Sequence, residues 1–182
     1  HGLRVVAFRQ HGIDRAHRRT SISAGFGGSP VATLRPRVGV EPAQPDRHFG
    51  QILELYRAHG WIHATDPARL RTAIACSSAS IVALDGDEVV GYARALSDEA
   101  FAVYIADILV RPDRQRQGIG SALFLAMLDR YPIDVFHHQV LVSERGAEGF
   151  YRRHGLTAVS AYGLTAFIRS REKSSIGRSR TS

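Results

Sequence analysis

The chain has 182 residues, 44% hydrophobic and 23% charged, the size and make-up of one globular domain with a full core. A lone cysteine, Cys76, excludes an intramolecular disulfide framework, and no apolar run approaches the ~20 residues of a membrane helix. The net charge of +7 sits at the ends: residues 1–37 carry seven Arg against Asp14, residues 169–182 carry five cations against Glu172, and the stretch between is mildly acidic. Basic ends read as solvated extensions, so neither nucleic acid nor membrane is an expected partner. With no secretory apolar segment at the start, a cytoplasmic location is the expectation.

Residues 1–36 mix Gly25, Gly27, Gly28, Pro30 and Pro36 with scattered Arg and show little periodicity, which predicts a flexible extension. A first strand is expected over Arg37 to Glu41. A helix follows from Asp46 to Ala58, with Asp46 as its cap and Phe49, Ile52, Leu53 and Tyr56 as its apolar stripe. Thr65-Asp66-Pro67 signals a second helix start, with Pro67 suited to the first helical position. Trp61, between the two helices, is expected as core or cleft wall. Ile81–Leu84, Asp85-Gly86-Asp87 and Glu88–Leu96 form a hairpin signature, and Ser97-Asp98-Glu99 turns the chain into a third strand over Phe101–Val110. A long helix, Gly118–Tyr131, is stopped by Pro132. A strand over Val135–Val142, a short helix over Gly146–His154 and a final strand or strand pair over Val159–Arg169 complete the order, and 170–182 is expected to be disordered.

Between the third strand and the long helix lies Gln115-Arg-Gln-Gly-Ile-Gly120. Such a turn aims the unpaired N–H groups of Gln117, Gly118, Ile119, Gly120 and Ser121 at one spot, where the helix macrodipole also favours negative charge. Gly118 and Gly120 let a ligand approach the backbone without a Cβ in the way. Arg114 and Arg116 are candidates for phosphate charges, whereas Arg111 is expected to close the strand end. No Lys-Ser/Thr follows Gly120 and the strand sits in a meander, which excludes P-loop and Rossmann readings.

The turn, the preceding Asp107-Ile-Leu-Val-Arg-Pro112 and the later Phe150-Tyr-Arg-Arg-His-Gly-Leu156 together resemble the GNAT superfamily of N-acyltransferases. The resemblance covers residues 37–169. It implies a single α/β domain of α+β type, a central mixed, mostly antiparallel sheet flanked by about four helices. It further implies acetyl-CoA as co-substrate, with the pyrophosphate on the glycine turn and the pantetheine arm beside Ile108, Leu109 and Val110 where the next strand splays away. The thioester carbonyl would take a backbone N–H near Leu109 or Val110. Tyr151 matches the superfamily's general-acid tyrosine. The expected acceptor is a primary amine of a small molecule or peptide, and a homodimer is left open. The alternative function is an acyl-CoA-binding sensor or assembly module without turnover.

Three residues carry open roles. Asp107 is the one charge in an apolar strand; it either takes a proton from or holds the substrate amine, or forms a salt bridge with Arg94 on the neighbouring strand. Glu144 departs from the Asn often found seven residues before the tyrosine, and becomes a second base candidate. Gly149 is costly in a helix, by about 1 kcal/mol relative to Ala. His137-His138 point to opposite faces of a strand, so no metal is expected there, and Cys76 reads as a structural thiol.

Overall fold

The computed structural model describes residues 38–169; residues 1–37, which hold the expected extension and Arg37 of the expected first strand, and the tail 170–182 lie outside the described residues. Five strands, β1 (Val38–Pro42), β2 (Ala79–Asp85), β3 (Glu88–Ser97), β4 (Ala102–Val110) and β5 (His138–Val140), form one sheet in the order β1-β2-β3-β4-β5. The first four run antiparallel, and β5 joins β4 in parallel. Four helices flank the sheet: α1 (Pro45–Ala58), α2 (Pro67–Ala75), α3 (Ile119–Arg130) and α4 (Glu148–Arg153). No helix among the described residues is long and apolar enough to cross a membrane.

Side chains alternating along the strands divide the core into two layers. Ala83, Ala93, Val103 and Ile105 pack with Ile119, Leu123, Phe124 and Met127 of α3. Val82, Val89, Tyr92 and Leu109 pack with Ile52, Tyr56, Leu70 and Ile74 of α1 and α2. Each large side chain buried this way contributes roughly 1.5–3 kcal/mol relative to exposure, so both faces stabilise the sheet. The α3 helix buries one side only, since Leu125 is 47% exposed.

Local signals place most of these elements. Asp66 caps α2, its carboxylate accepting from the Arg69 N–H at 3.0 Å. Gly86 turns the β2–β3 hairpin at φ 63°. Asp98 ties the next turn through one oxygen that accepts from the N–H groups of Ala100, Phe101 and Ala102. Those bonds favour the ionised form, and they hold its carboxyl below the ordinary range.

Three expectations are corrected. Gln44, not Asp46, is the N-cap of α1, and Pro45 occupies its first turn. The strand expected over Val135–Val142 shrinks to His138–Val140, because the Pro132 carbonyl accepts the N–H groups of Val135 and Phe136 in a turn. The strand expected over Val159–Arg169 is a 3-10 turn at Val159–Tyr162 followed by irregular chain. Phe167 and Ile168 are 93% and 78% exposed there, so their strand-like composition has no sheet face to pack on.

Candidate active site

The site is built around an irregularity in β4. Arg94 opposes Asp107, but the next pair is Ala95 with Ile105, so Ala106 is an extra residue, a bulge. The bulge changes which way side chains point: Asp107 and Leu109 face α1, whereas Ile105 faces α3. On the other side of the bulge the register runs regularly to Gly91 opposite Val110, and the Arg111 N–H donates to the Val90 carbonyl at 2.9 Å. In an antiparallel pair, alternate residues turn their backbone groups toward the partner strand. Leu109 therefore bonds to β3, and Ile108 and Val110 turn their N–H and C=O groups away from it. Of the two residues expected to offer an N–H to the thioester carbonyl, Leu109 turns its own toward β3, while Val110, like Ile108, turns its own outward.

Beyond Tyr104 the outward edge of β4 is open. Pairing with β5 is confined to Ala102–Tyr104 against His138–Val140, after which the two segments part. A chamber of about 90 Å³ lies in the gap, lined by Ile105, Ala106 and Ile108 on one side, Leu141, Val142 and Glu144 on the other, with Trp61 and Tyr151. Trp61 thus serves as the cleft wall its position suggested; its ring is steadied edge-on by Tyr56 at 5.8 Å between centroids.

The glycine turn adjoins this edge. Arg116 and Gly118 adopt left-handed backbone, φ 60° and 86°, and Gly118 is the N-cap of α3. Positive φ at residues of a turn is the backbone habit of anion-binding nests, in which successive N–H groups face one side. A Cβ on Gly120 would meet Val110 at 3.6 Å and Phe150 at 3.9 Å, ordinary contact distances. The missing Cβ is therefore not demanded by the protein's own packing; it leaves room for a ligand. Arg114 is already engaged, with its guanidinium 2.6 Å from Asp85. Arg111 pairs with Glu88 and Asp113 and closes the strand end. Arg116 is exposed and makes no ion pair among the described residues. Gln115 and Gln117 are exposed, with side chains reaching back to the carbonyls of Val110 and Asp113 at 3.3 Å each. Ile119 is buried beneath them and Ser121 is half-buried.

Tyr151, on α4, packs edge-on to Phe124 at 5.4 Å and to Phe150 at 5.1 Å. Burial, with a smaller contribution from the negative charge of Glu144, pushes its phenol above the ordinary value. It therefore stays protonated through the neutral range. Glu144 is exposed and shares the chamber with it. Gly149 is exposed, and a Cβ there would meet only the Arg153 guanidinium at 3.7 Å.

Asp107 is buried, and one of its oxygens accepts from the Arg94 Nε and from the Tyr56 hydroxyl, the latter at 2.7 Å. Of the two roles open to it, the ion pair is the one with a geometric basis. Burial, then the neighbouring carboxylate, drives the Tyr56 phenol far above its ordinary value. One participant carried no sequence signal. His59, at the end of α1, donates from Nε2 to the Val110 carbonyl at 2.9 Å, joining residues 51 apart.

An open mixed sheet, a glycine turn at a helix N-terminus and a gap beside a bulged central strand make up an open α/β fold with one cleft at the end of β4. Residues 46–156 match the acetyltransferase (GNAT) family model, and the chain belongs to that family. A GNAT-family acetyltransferase of Streptococcus pneumoniae is 33% identical, with a TM-score of 0.62 over 74% of this chain and 98% of its own. A GNAT-family structure from Xanthomonas campestris is 23% identical, TM-score 0.60, covering 74% of this chain and 94% of its own. An aminoglycoside acetyltransferase from an uncultured soil sample, in complex with sisomicin, is 19% identical, TM-score 0.58, covering 77% and 100%. Among curated proteins none matches the sequence.

Proposed function

We propose that this chain is an acetyl-CoA-dependent N-acetyltransferase that acts by direct transfer to a primary amine. The observation that carries the reading is the chamber beside the β4 bulge, where an outward backbone edge, Glu144 and Tyr151 meet next to the glycine turn. The turn Gln115–Ser121 would hold the pyrophosphate, Arg116 would answer its charge, and Ile108 and Val110 would pair with the pantetheine arm. When bound, acetyl-CoA supplies the activated acyl carbon. Val110 bears on the fit: its carbonyl already accepts from His59 and Gln115, so its N–H is the group it offers the arm.

Glu144 takes a proton from the incoming ammonium, directly or through water, and leaves a lone pair for attack on the thioester carbon. The Ile108 or Val110 N–H stabilises the charge developing on the carbonyl oxygen. As the C–S bond breaks, the nitrogen sheds its second proton to solvent, and Tyr151 gives its own proton to the departing thiolate and regains one from solvent. The acceptor is a small-molecule or peptide amine, and the aminoglycoside-binding relative makes aminoglycosides one class to include in a screen.

Thiol release from acetyl-CoA over a panel of amines, peptides and aminoglycosides tests the reading. Turnover with at least one amine is expected. Tight acetyl-CoA binding without release over the whole panel would point instead to a non-catalytic sensor.

A further inference from the structure

The buried charge network beneath the β4 bulge has a task that acyl transfer alone does not assign. Arg94, Asp107 and Tyr56 come from β3, β4 and α1 and meet at one carboxylate oxygen. Their exposure is small: 11% for the Arg94 side chain, 6% for Asp107 and 0% for Tyr56. A buried ion pair is a poor source of stability, since desolvation cancels most of its attraction, and setting register is its best-attested use. Here the pair stands at the last regular position before the register shift.

We propose that the Arg94–Asp107–Tyr56 network is a register lock that holds the β4 bulge at Ala106 and thereby keeps the backbone of Ile108 and Val110 turned outward. Its members act as positioning residues, not as proton carriers. Moving the bulge past Asp107 would set that carboxylate opposite Ala93, on the face packed by Leu123 and Phe124 of α3. An unpaired carboxylate in that apolar layer is costly, and the slipped register is thereby disfavoured. Without the lock, slippage would turn the Ile108 N–H toward β3 and remove it from the open edge. The chamber agrees with this division of labour. Its wall comes from Ile105, Ala106 and Ile108, the neighbours of Asp107, while Asp107 itself points to α1 and does not line it.

The inference rests on the acyl-transfer reading only for its kinetic arm. The first arm is amide hydrogen exchange resolved by NMR, which needs no turnover. In the unaltered protein the Leu109 amide exchanges far more slowly than that of Ile108. In the variant Arg94→Met/Asp107→Leu/Tyr56→Phe the contrast falls at least tenfold. A folded triple variant that keeps the full contrast overturns the lock. The second arm is Asp107→Asn, which keeps a hydrogen-bond acceptor of the same shape but cannot take a proton, and which decides the matter even if the triple variant does not fold. The expected result is an exchange contrast like that of the unaltered protein and a kcat within tenfold of it. A hundredfold loss of kcat with the contrast intact shows Asp107 to be a base and refutes the proposal, whereas a contrast lost together with kcat supports it, since the charge of the carboxylate is then what holds the register. Absence of thiol release in the unaltered protein refutes the acyl-transfer reading and leaves the exchange arm to judge the lock.

Discussion

Gly91 of β3 lies so close to α3 that a Cβ on it would stand 2.9 Å from Leu123 Cδ1 and 3.0 Å from Ile119 Cγ2. Leu123 and Ile119 are buried and cannot step aside, and the Leu109 carbonyl, 3.2 Å away, is backbone. Gly91→Ala is expected to destabilise the protein by about 1–3 kcal/mol, the usual cost of overpacking. Urea unfolding measures this. Because α3 begins at the glycine turn, acetyl-CoA affinity should fall with it.

Gly120 presents the opposite case. A Cβ there has ordinary room, so Gly120→Ala should leave the unfolding midpoint nearly unchanged. Gly120→Glu adds bulk and negative charge where the pyrophosphate is proposed to sit. It should weaken acetyl-CoA binding at least tenfold, about 1.4 kcal/mol, as read by calorimetry. Unchanged affinity would remove the turn from the binding site.

Tyr151→Phe should lower kcat by about 10²–10⁴-fold, the range of general acid catalysis, with acetyl-CoA affinity nearly intact. The phenol is raised above its ordinary value of about 10, so an alkaline loss of activity assigned to it should lie above that pH. In Glu144→Gln the negative neighbour is gone and the phenol becomes easier to ionise. That alkaline limb should then move to lower pH, while amine turnover drops. A pH–rate profile of both variants checks the pair.

Asp98 links a turn to pH. Its folded carboxyl is lowered by the backbone N–H bonds from Ala102, Ala100 and Phe101, so the stability it contributes is present above its unfolded value near 3.8. It is lost as pH falls through the still lower folded value. Thermal unfolding between pH 5 and pH 2 should show a decline that is shallower in Asp98→Ala, since that variant has no such carboxyl to protonate.

Much of this was legible residue by residue where the cause is local. Asp66 before Pro67, Gly86 in the hairpin and Gln115 to Gly120 before an apolar helix each act within a few positions, and each appears where the pattern places it. The short β5 and the irregular chain after Val159 did not follow from composition. A strand needs a partner edge, and β-branched or aromatic residues alone supply none.

By itself, the sequence determined the order of the elements as far as α4, the glycine turn and the tyrosine seven residues beyond Glu144, because these follow from backbone preference and spacing. Only the tertiary structure decided what Asp107 does. The carboxylate reads alike as base or ion-pair partner along the chain, and its role depends on Arg94 across the sheet and Tyr56 on a helix 51 residues away. The same holds for the bulge at Ala106, which exists only as a mismatch between two paired strands. It turns Ile108 and Val110 outward, and so makes an edge where acetyl-CoA is proposed to bind.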